Sequence, residues 1–111
     1  MITSRPNRTL LAPDLEISRL VTGLWQVADM ERGGHTLDPI HGANTLAEYA
    51  RAGYDTFDMA DHYGSAEVIT GELQQTPDRA PFKAFTKWCP KPGPMTPEIV
   101  REGVQRSLDR M

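Results

Sequence analysis

The chain has 111 residues, enough for one small domain, and 39% of them are hydrophobic. Its net charge of −3 gives no electrostatic reason to expect nucleic acid or an anionic membrane as a partner. No apolar run approaches the roughly 20 residues of a membrane span, and residues 1–11 lack the apolar core of a secretory signal. The single cysteine, Cys89, excludes an intramolecular disulfide and fits a reducing compartment. We therefore predict a cytoplasmic location, with a plastid as the alternative because no acidic residue precedes Asp14.

The first third of the sequence predicts a hairpin, a strand and a loop. Residues 9–12 and 15–17 are short strand-like runs on either side of a Pro-Asp pair, which favours a turn. Residues 18–27 are mostly apolar and predict a buried strand. Residues 29–39 are polar and predict a loop.

Two helices and one strand are predicted in the middle of the chain. Residues 39–52 form an amphipathic helix that ends at Gly53, a typical helix stop. The apolar face of this helix consists of Ile40, Ala43, Leu46, Ala47 and Ala50. Residues 54–59 predict a strand, and Ser65 then caps a helix with Glu67 in its first turn, where the helix dipole favours an acid. The apolar residues of this second helix are Ala66, Val68, Ile69 and Leu73.

The last third predicts one more strand and one more helix. Residues 82–88 form the strand, and a proline-rich loop separates them from a helix with Thr96 as its N-cap and Pro97 at its first position. The apolar stripe of this helix is Val100, Val104, Leu108 and Met111. Strands that alternate with helices at this spacing predict parallel βαβ units and an α/β fold. Since three parallel strands leave edges exposed, we expect a piece of a larger domain, or a chain that needs a partner.

Three chemically active residue types are predicted at the ends of two strands. Asp58 ends one strand, Tyr63 lies in the loop that follows it, and Lys87 ends the next strand. Catalytic groups of α/β folds gather outside the carboxyl ends of parallel strands. If Asp58 holds Lys87 in a confined site beside Tyr63, the ammonium stabilises the phenolate and makes the tyrosine a better proton donor. Such a tyrosine can protonate a carbonyl oxygen while a nicotinamide supplies hydride to the carbon.

Each of these residues also has an ordinary structural interpretation. An aspartate at the end of a strand is commonly a cap or a turn residue, a loop tyrosine is commonly a packing residue, and a lysine there is commonly solvated. The functional interpretation therefore depends on their occurrence together at successive strand ends.

Several segments of the sequence resemble the aldo-keto reductase superfamily. Residues 53–60, followed by Tyr63, Glu67 and Gly71, are similar to the first signature of that family. Residues 22–26 resemble the Gly-x-Trp stretch that opens the family barrel, and residues 85–88 resemble the segment that carries the family lysine. Residues 107–111 are similar to the helix before the fourth strand of the family. The resemblance covers the chain from about Leu15 onwards, and the Asp-His-Tyr-Gly version at 61–64 is similar to a plant and microbial branch.

The resemblance implies a (β/α)8 TIM barrel with an N-terminal hairpin at its bottom, and NADPH-dependent reduction of a small aldehyde or ketone. It implies that Tyr63 is the acid and that Lys87 and Asp58 support it. It further implies that the nicotinamide lies near Gly23, Leu24 and Asp58. The residues that it places around the substrate are Trp25, Trp88 and, beside Tyr63, His62.

The sequence also departs from the family pattern. Asp55 stands where the signature usually has arginine, and we expect the change to affect stability more than chemistry. The family histidine after the fourth strand and the loops that bind the adenosine phosphate have no counterpart in residues 1–111, and His35, His41 and His62 do not match that histidine. Two adjacent glycines at 33–34 lack the GxGxxG spacing of a classical dinucleotide-binding domain, which argues against that fold. We predict no metal site and an inert thiol at Cys89, with a reactive thiol as the alternative.

Two functions from different classes follow from these observations. In the first, residues 1–111 are a partial, C-terminally truncated NADP-dependent oxidoreductase domain of about three βα units, and the full-length parent is the enzyme. In the second, the chain is a non-catalytic regulatory or interaction protein that reuses the fold. The carbonyl substrate, the choice between NADPH and NADH and the oligomeric state have no signal in the sequence.

Overall fold

A computed structural model describes residues 7–27 and 38–111. Most of the predicted loop at 29–39, including Gly33, Gly34 and His35, lies outside the described residues. The elements in chain order are β1 (Arg8–Ala12), β2 (Leu15–Ser18), β3 (Thr22–Gly23), α1 (Pro39–Arg51), β4 (Thr56–Asp58), α2 (Ala66–Gln75), β5 (Lys83–Phe85) and α3 (Pro97–Arg110). The described residues thus form a mixed α/β structure, as predicted, and none of their helices has the length and apolarity that a membrane crossing requires.

The strands form two separate sheets in the described part of the chain. The predicted hairpin is confirmed, since β1 pairs with β2 in antiparallel register. The order β3-β4-β5 forms a parallel sheet, in which Gly23 lies opposite Asp58 and Asp58 lies opposite Phe85. The predicted parallel βαβ arrangement is therefore also confirmed.

The strand predicted at 18–27 is much shorter in the structure. Only Thr22–Gly23 pairs with β4, and Leu20 and Val21 are 66% and 43% exposed. Arg19 still belongs to the hairpin region, because its amide donates to the carbonyl of Asn7 at 2.9 Å. The start of the predicted strand thus belongs to the hairpin, and only Thr22–Gly23 belongs to the parallel sheet.

Helix α1 closely matches the predicted helix at 39–52, and the structure adds its N-cap. The Asp38 carboxylate accepts a hydrogen bond from the Ile40 amide at 3.0 Å, and Pro39 occupies the first turn. Gly53 follows the helix with φ 95°, a conformation that favours glycine. The predicted apolar face is buried except for Ile40, which is 59% exposed. Ile40 precedes the point where α1 contacts α2, which is at Gly42, beside Ile69.

The hydrophobic core lies between the parallel sheet and helices α1 and α2. Its fully or almost fully buried members are Leu24, Ala43, Leu46, Ala47, Ala50, Phe57, Met59, Ala66, Ile69 and Leu73. Val68, predicted among the apolar residues of α2, is 39% exposed. Ser65 is the N-cap residue by position, but its hydroxyl makes no capping hydrogen bond and is buried without a partner.

Helix α3 packs through small residues and leaves its apolar stripe open. Thr96 caps the helix as predicted, since its hydroxyl accepts from the Ile99 amide at 3.2 Å. The buried residues of α3 are Gly103 and Ser107, whereas Val104 and Leu108 are 47% and 65% exposed. The predicted stripe is present, but the described residues cover little of it.

Candidate active site

Backbone pairing carries the candidate residues to one end of the parallel sheet. The hydrogen bonds continue past the ends of β4 and β5, from the Met59 amide to the Phe85 carbonyl at 2.8 Å and from the Asp61 amide to the Lys87 carbonyl at 3.0 Å. The loop that contains Tyr63 and the segment that contains Lys87 are therefore held side by side. This edge is the carboxyl end of the strands, where α/β folds place their functional groups.

Lys87 and Asp58 form a close ion pair. The Lys87 ammonium donates to both carboxylate oxygens of Asp58, at 2.9 and 3.0 Å, and to the Met59 carbonyl at 2.6 Å. The side chains of Lys87 and Asp58 are 46% and 47% exposed, so the pair is half-exposed and not confined as the sequence suggested. Lys87 lies two residues beyond the end of β5 at Phe85, although the sequence placed it within the strand.

Tyr63 lies next to this ion pair and between two other rings. The Lys87 ammonium is 5.5 Å from the centre of the Tyr63 ring, within the range of a cation–π contact. The Trp25 ring meets Tyr63 edge to face at 4.9 Å, and the His62 ring lies at 5.0 Å. The structure therefore brings together five of the sequence-predicted site residues: Asp58, Tyr63, Lys87, Trp25 and His62.

Gly23 and Leu24 lie beside Asp58 in different environments. Gly23 is exposed, and a side chain built on it would meet no atom within 4 Å. Leu24 is fully buried in the core, and its amide donates to the Asp58 carbonyl at 3.0 Å. The surface at Gly23 is thus open to solvent, whereas Leu24 packs in the core below the strand end.

Trp88 lies apart from this group, against helix α3. A Cβ on Gly103 would overlap the Trp88 indole, so the indole packs closely on the backbone of α3. Trp88 lines two cavities of about 300 and 330 Å³ beside α3, and neither is lined by Asp58, Tyr63 or Lys87. Trp88 therefore packs between β5 and α3, and its place beside the substrate stays a prediction from the resemblance.

A buried carboxylate behind the site has a role that the sequence did not predict. Glu67 is 2% exposed and accepts from the Thr86 hydroxyl at 2.8 Å and from the Arg110 guanidinium at 3.0 Å. Arg110 also donates to the Asp61 carbonyl at 3.1 Å. The sequence predicted that Glu67 lies in the first turn of α2, which the structure confirms. It did not predict the partners of Glu67, because they come from distant parts of the chain. The position of Glu67 in the family signature was the signal that could have suggested this role.

Asp55, the departure from the signature, is also paired. It is 7% exposed, and its carboxylate accepts from the Arg8 guanidinium at 2.8 Å. Arg8 also donates to Glu16 at 2.8 Å and to the Gly53 carbonyl at 3.1 Å. The hydrogen bond with Asp55, and then that with Glu16, raise the pKa of Arg8 above its ordinary value against the opposing effect of desolvation. The two acids thus stabilise the charged guanidinium, and Asp55 links the hairpin to the start of β4.

The fold and the geometry define an α/β protein whose candidate site lies at the carboxyl ends of parallel strands. Residues 19–111 match the family model described as the Aldo/keto reductase family. The chain belongs to the aldo/keto reductase family, which confirms the resemblance seen in the sequence and supports an oxidoreductase-type function. No curated protein matches the chain.

Proposed function

We propose that this chain takes part in the NADPH-dependent reduction of an aldehyde or ketone, with Tyr63 as the general acid. The observation that carries the proposal is the position of the Lys87 ammonium, which is fixed by Asp58 and lies 5.5 Å from the Tyr63 ring. A tyrosine beside a fixed cation can give its proton to a carbonyl oxygen at the moment when negative charge develops there.

Asp58 and Lys87 act on Tyr63 through charge and position. A lysine ammonium has three protons to donate, and the three oxygens that accept from Lys87 belong to the Asp58 carboxylate and the Met59 carbonyl. Lys87 is therefore already saturated with acceptors, and it influences Tyr63 by its field. Asp58 prevents Lys87 from turning into solvent, which keeps the positive charge beside the phenol.

The residues around Gly23 fit the flat ring of a nicotinamide. Gly23 presents an open surface at the end of β3, opposite Asp58 in the sheet. When bound, NADPH supplies the hydride that the side chains of the protein cannot. Gly23 would let the nicotinamide ring lie close to the backbone, and Asp58 would lie beside the ring. Leu24 would hold this part of the backbone in place through its packing in the core. Trp25 and His62, which flank Tyr63, would contact the small carbonyl substrate.

We further propose that residues 1–111 form part of a (β/α)8 barrel. The support is physical: the stripe of α3 at Val104 and Leu108 is exposed, and the described strand β5 pairs with β4 on one side. A parallel sheet is stable when helices cover its faces and further strands cover its edges. Additional βα units packed against β5 and α3 would supply both. A cytoplasmic location stays a prediction from the sequence.

The proposal is tested by measuring NADPH oxidation with 4-nitrobenzaldehyde, both for the 111-residue chain and for a longer polypeptide that completes the barrel. We call the longer polypeptide the complete reductase. We expect turnover from the complete reductase and little from the 111-residue chain, because we expect the family histidine and the phosphate-binding loops to belong to the rest of the proposed barrel. Turnover by the 111-residue chain at the rate of the complete reductase would contradict the partial-domain proposal. A complete reductase that binds NADPH and reduces no aldehyde or ketone would contradict the enzyme proposal in favour of a regulatory protein.

A further inference from the structure

Beside Tyr63, the structure gathers three metal-binding groups of different chemistry. Asp61, His62 and Cys89 each offer one ligand atom, and these atoms lie within 4.8 Å of one another. Asp61 and His62 belong to the loop between β4 and α2, whereas Cys89 belongs to the loop between β5 and α3. The sequence predicted no metal site, because this cluster exists only when the two loops are brought together.

Asp61 is held in place more firmly than an ordinary surface acid. Its amide donates to the Lys87 carbonyl at 3.0 Å, its own carbonyl accepts from Arg110 at 3.1 Å, and its carboxylate accepts from the Cys89 amide at 3.1 Å. The other carboxylate oxygen lies 3.3 Å from Nδ1 of His62. A carboxylate has about four lone-pair positions, so these contacts leave Asp61 with acceptor capacity for a metal ion.

The other two ligands are accessible and free to adjust. The side chain of His62 is 54% exposed and that of Asp61 is 13% exposed, and Cys89 is an exposed free thiol. Ligands at about 2.0–2.3 Å from a tetrahedral zinc ion lie about 3.3–3.8 Å from each other. The cluster must therefore contract by roughly 1 Å, which rotation of the exposed His62 and Cys89 side chains can supply without movement of Asp61.

We propose that Asp61, His62 and Cys89 form a binding site for Zn²⁺. One imidazole, one thiolate and one carboxylate match the ligand preferences of zinc, and three protein ligands leave a fourth position open to water. Mg²⁺ and Ca²⁺ require mainly oxygen ligands, which this set does not provide. The charges are favourable, because thiolate and carboxylate together neutralise Zn²⁺. Two nearby cations are already compensated, because Lys87 is paired with Asp58 and Arg110 with Glu67. A third, Lys91, follows Cys89 by two positions in the sequence. Binding displaces the thiol proton of Cys89 to solvent.

The test is competition for Zn²⁺ between the 111-residue chain and a chromophoric chelator. We expect one zinc ion per chain, with an affinity that falls by about 10-fold or more in Cys89→Ser, in His62→Gln and in Asp61→Asn, since even the loss of an outer partner of a metal ligand costs about that much. His41→Gln, which removes an exposed imidazole of α1, is the matched control and should bind zinc unchanged. Asn retains an acceptor oxygen for the Cys89 amide, so Asp61→Asn tests coordination with little effect on the loop.

A second readout uses Co²⁺, a spectroscopic substitute for zinc. We expect a sulfur-to-cobalt charge-transfer band, together with intense visible bands that indicate four-coordinate geometry, and both should disappear in Cys89→Ser. Absence of zinc uptake would overturn the proposal, and so would a loss of affinity in Cys89→Ser alone, which would indicate a solitary thiol.

The effect of the metal on Tyr63 rests on the proposed function, whereas the zinc site itself does not. Zinc at this position would fix the His62 ring beside Tyr63 and narrow access to the phenol. We expect Zn²⁺ to lower the turnover of the complete reductase, and Cys89→Ser to relieve the inhibition. An inactive reductase that still binds zinc would contradict only the proposed function, and an active reductase without zinc binding would contradict only the zinc site.

Discussion

Lys87 is fixed by acceptors that belong to β4 and its immediate continuation. The Asp58 carboxylate and the Met59 carbonyl accept all the hydrogen bonds that the structure shows for its ammonium. Because both side chains of the pair are nearly half-exposed, the ion pair contributes only about 0–1 kcal/mol to stability. We therefore expect the removal of Lys87 to change the reduction rate far more than the free energy of unfolding.

Replacement of Lys87 tests this prediction at the scale of one residue. We expect Lys87→Met to lower the reduction rate of the complete reductase by about 10²–10³-fold, the usual effect of removing one group that stabilises developing charge. Lys83→Met is the matched control, because Lys83 is an exposed lysine of the same strand region. Steady-state turnover and urea denaturation of both variants are the measurements. A large loss of stability in Lys87→Met, with the rate unchanged, would mean that the pair is structural.

Asp55 shows how a residue that seems unfavourable in the sequence is accommodated in the fold. The signature position usually holds arginine, and an unpaired acid with 7% exposure would be costly. Arg8, from the hairpin, supplies the partner at 2.8 Å. Since the pKa of Arg8 is raised in the folded state, its charge stabilises the fold below the unfolded-state pKa, and this contribution is lost only in strong alkali.

Removal of Arg8 should therefore detach the hairpin from β4. We expect Arg8→Ala to lower the free energy of unfolding by about 1–3 kcal/mol, the usual loss for a hydrogen bond to a charged group. Arg19→Ala, which removes an exposed arginine next to the hairpin, should change it by less than about 0.5 kcal/mol. Urea denaturation followed by circular dichroism measures both values. Equal effects of the two substitutions would show that the Arg8–Asp55 pair does not anchor the hairpin.

At the scale of whole elements, helices α2 and α3 meet where the site is supported. Glu67 of α2 and Arg110 of α3 form an ion pair at 3.0 Å, and Arg110 reaches the carbonyl of Asp61 in the loop beside Tyr63. The close approach depends on Gly71, because a Cβ there would overlap the Arg110 carbonyl oxygen. The sequence marked Gly71 as part of the family signature and did not indicate this contact, since the approach of α3 has no local signal.

A glycine pair tests this contact between the helices. Alanine normally stabilises a helix by about 1 kcal/mol relative to glycine, but we expect Gly71→Ala to lower the free energy of unfolding by about 1–3 kcal/mol through overpacking. Gly93→Ala is the control, because a Cβ at Gly93 would meet no atom within 4 Å. Thermal and urea denaturation give the two values. Stabilisation by Gly71→Ala would contradict the close approach of α3 to α2.

Local features of the fold were predictable from the sequence, and contacts between distant residues were not. The cap at Thr96 and the stop at Gly53 depend on neighbouring residues, so these helix ends were predictable from the local sequence. Arg8 and Arg110, in contrast, pair with acids more than 40 positions away. The candidate site was predictable as a set because parallel strands bring their carboxyl ends together. The half-exposure of the Lys87–Asp58 pair and the packing of Trp88 depend on what covers the sheet, which local sequence does not specify.

For the whole molecule, the open face of α3 is the feature that the described residues leave unexplained. A cavity of about 330 Å³ adjoins this face, between the end of β5 and the last turns of α3; its lining is Ala84, Thr86, Trp88, Val104, Ser107, Leu108 and Met111. Contiguous apolar surface of this kind usually contacts another part of a protein. The proposed barrel would cover this face with further strands and helices, which would also enclose the half-exposed pair of Lys87 and Asp58.

The proposed role of Tyr63 as proton donor in carbonyl reduction is tested most directly by the rate of hydride transfer in a single turnover of the complete reductase. We expect Tyr63→Phe to slow this step by about 10²–10⁴-fold. NADPH binding should stay nearly unchanged, because the proposed role of Tyr63 is contact with the carbonyl oxygen and not with the cofactor. Tyr49→Phe, which alters an exposed tyrosine of α1, should react at the original rate. An unchanged hydride-transfer rate in Tyr63→Phe would remove Tyr63 from the mechanism and contradict this account.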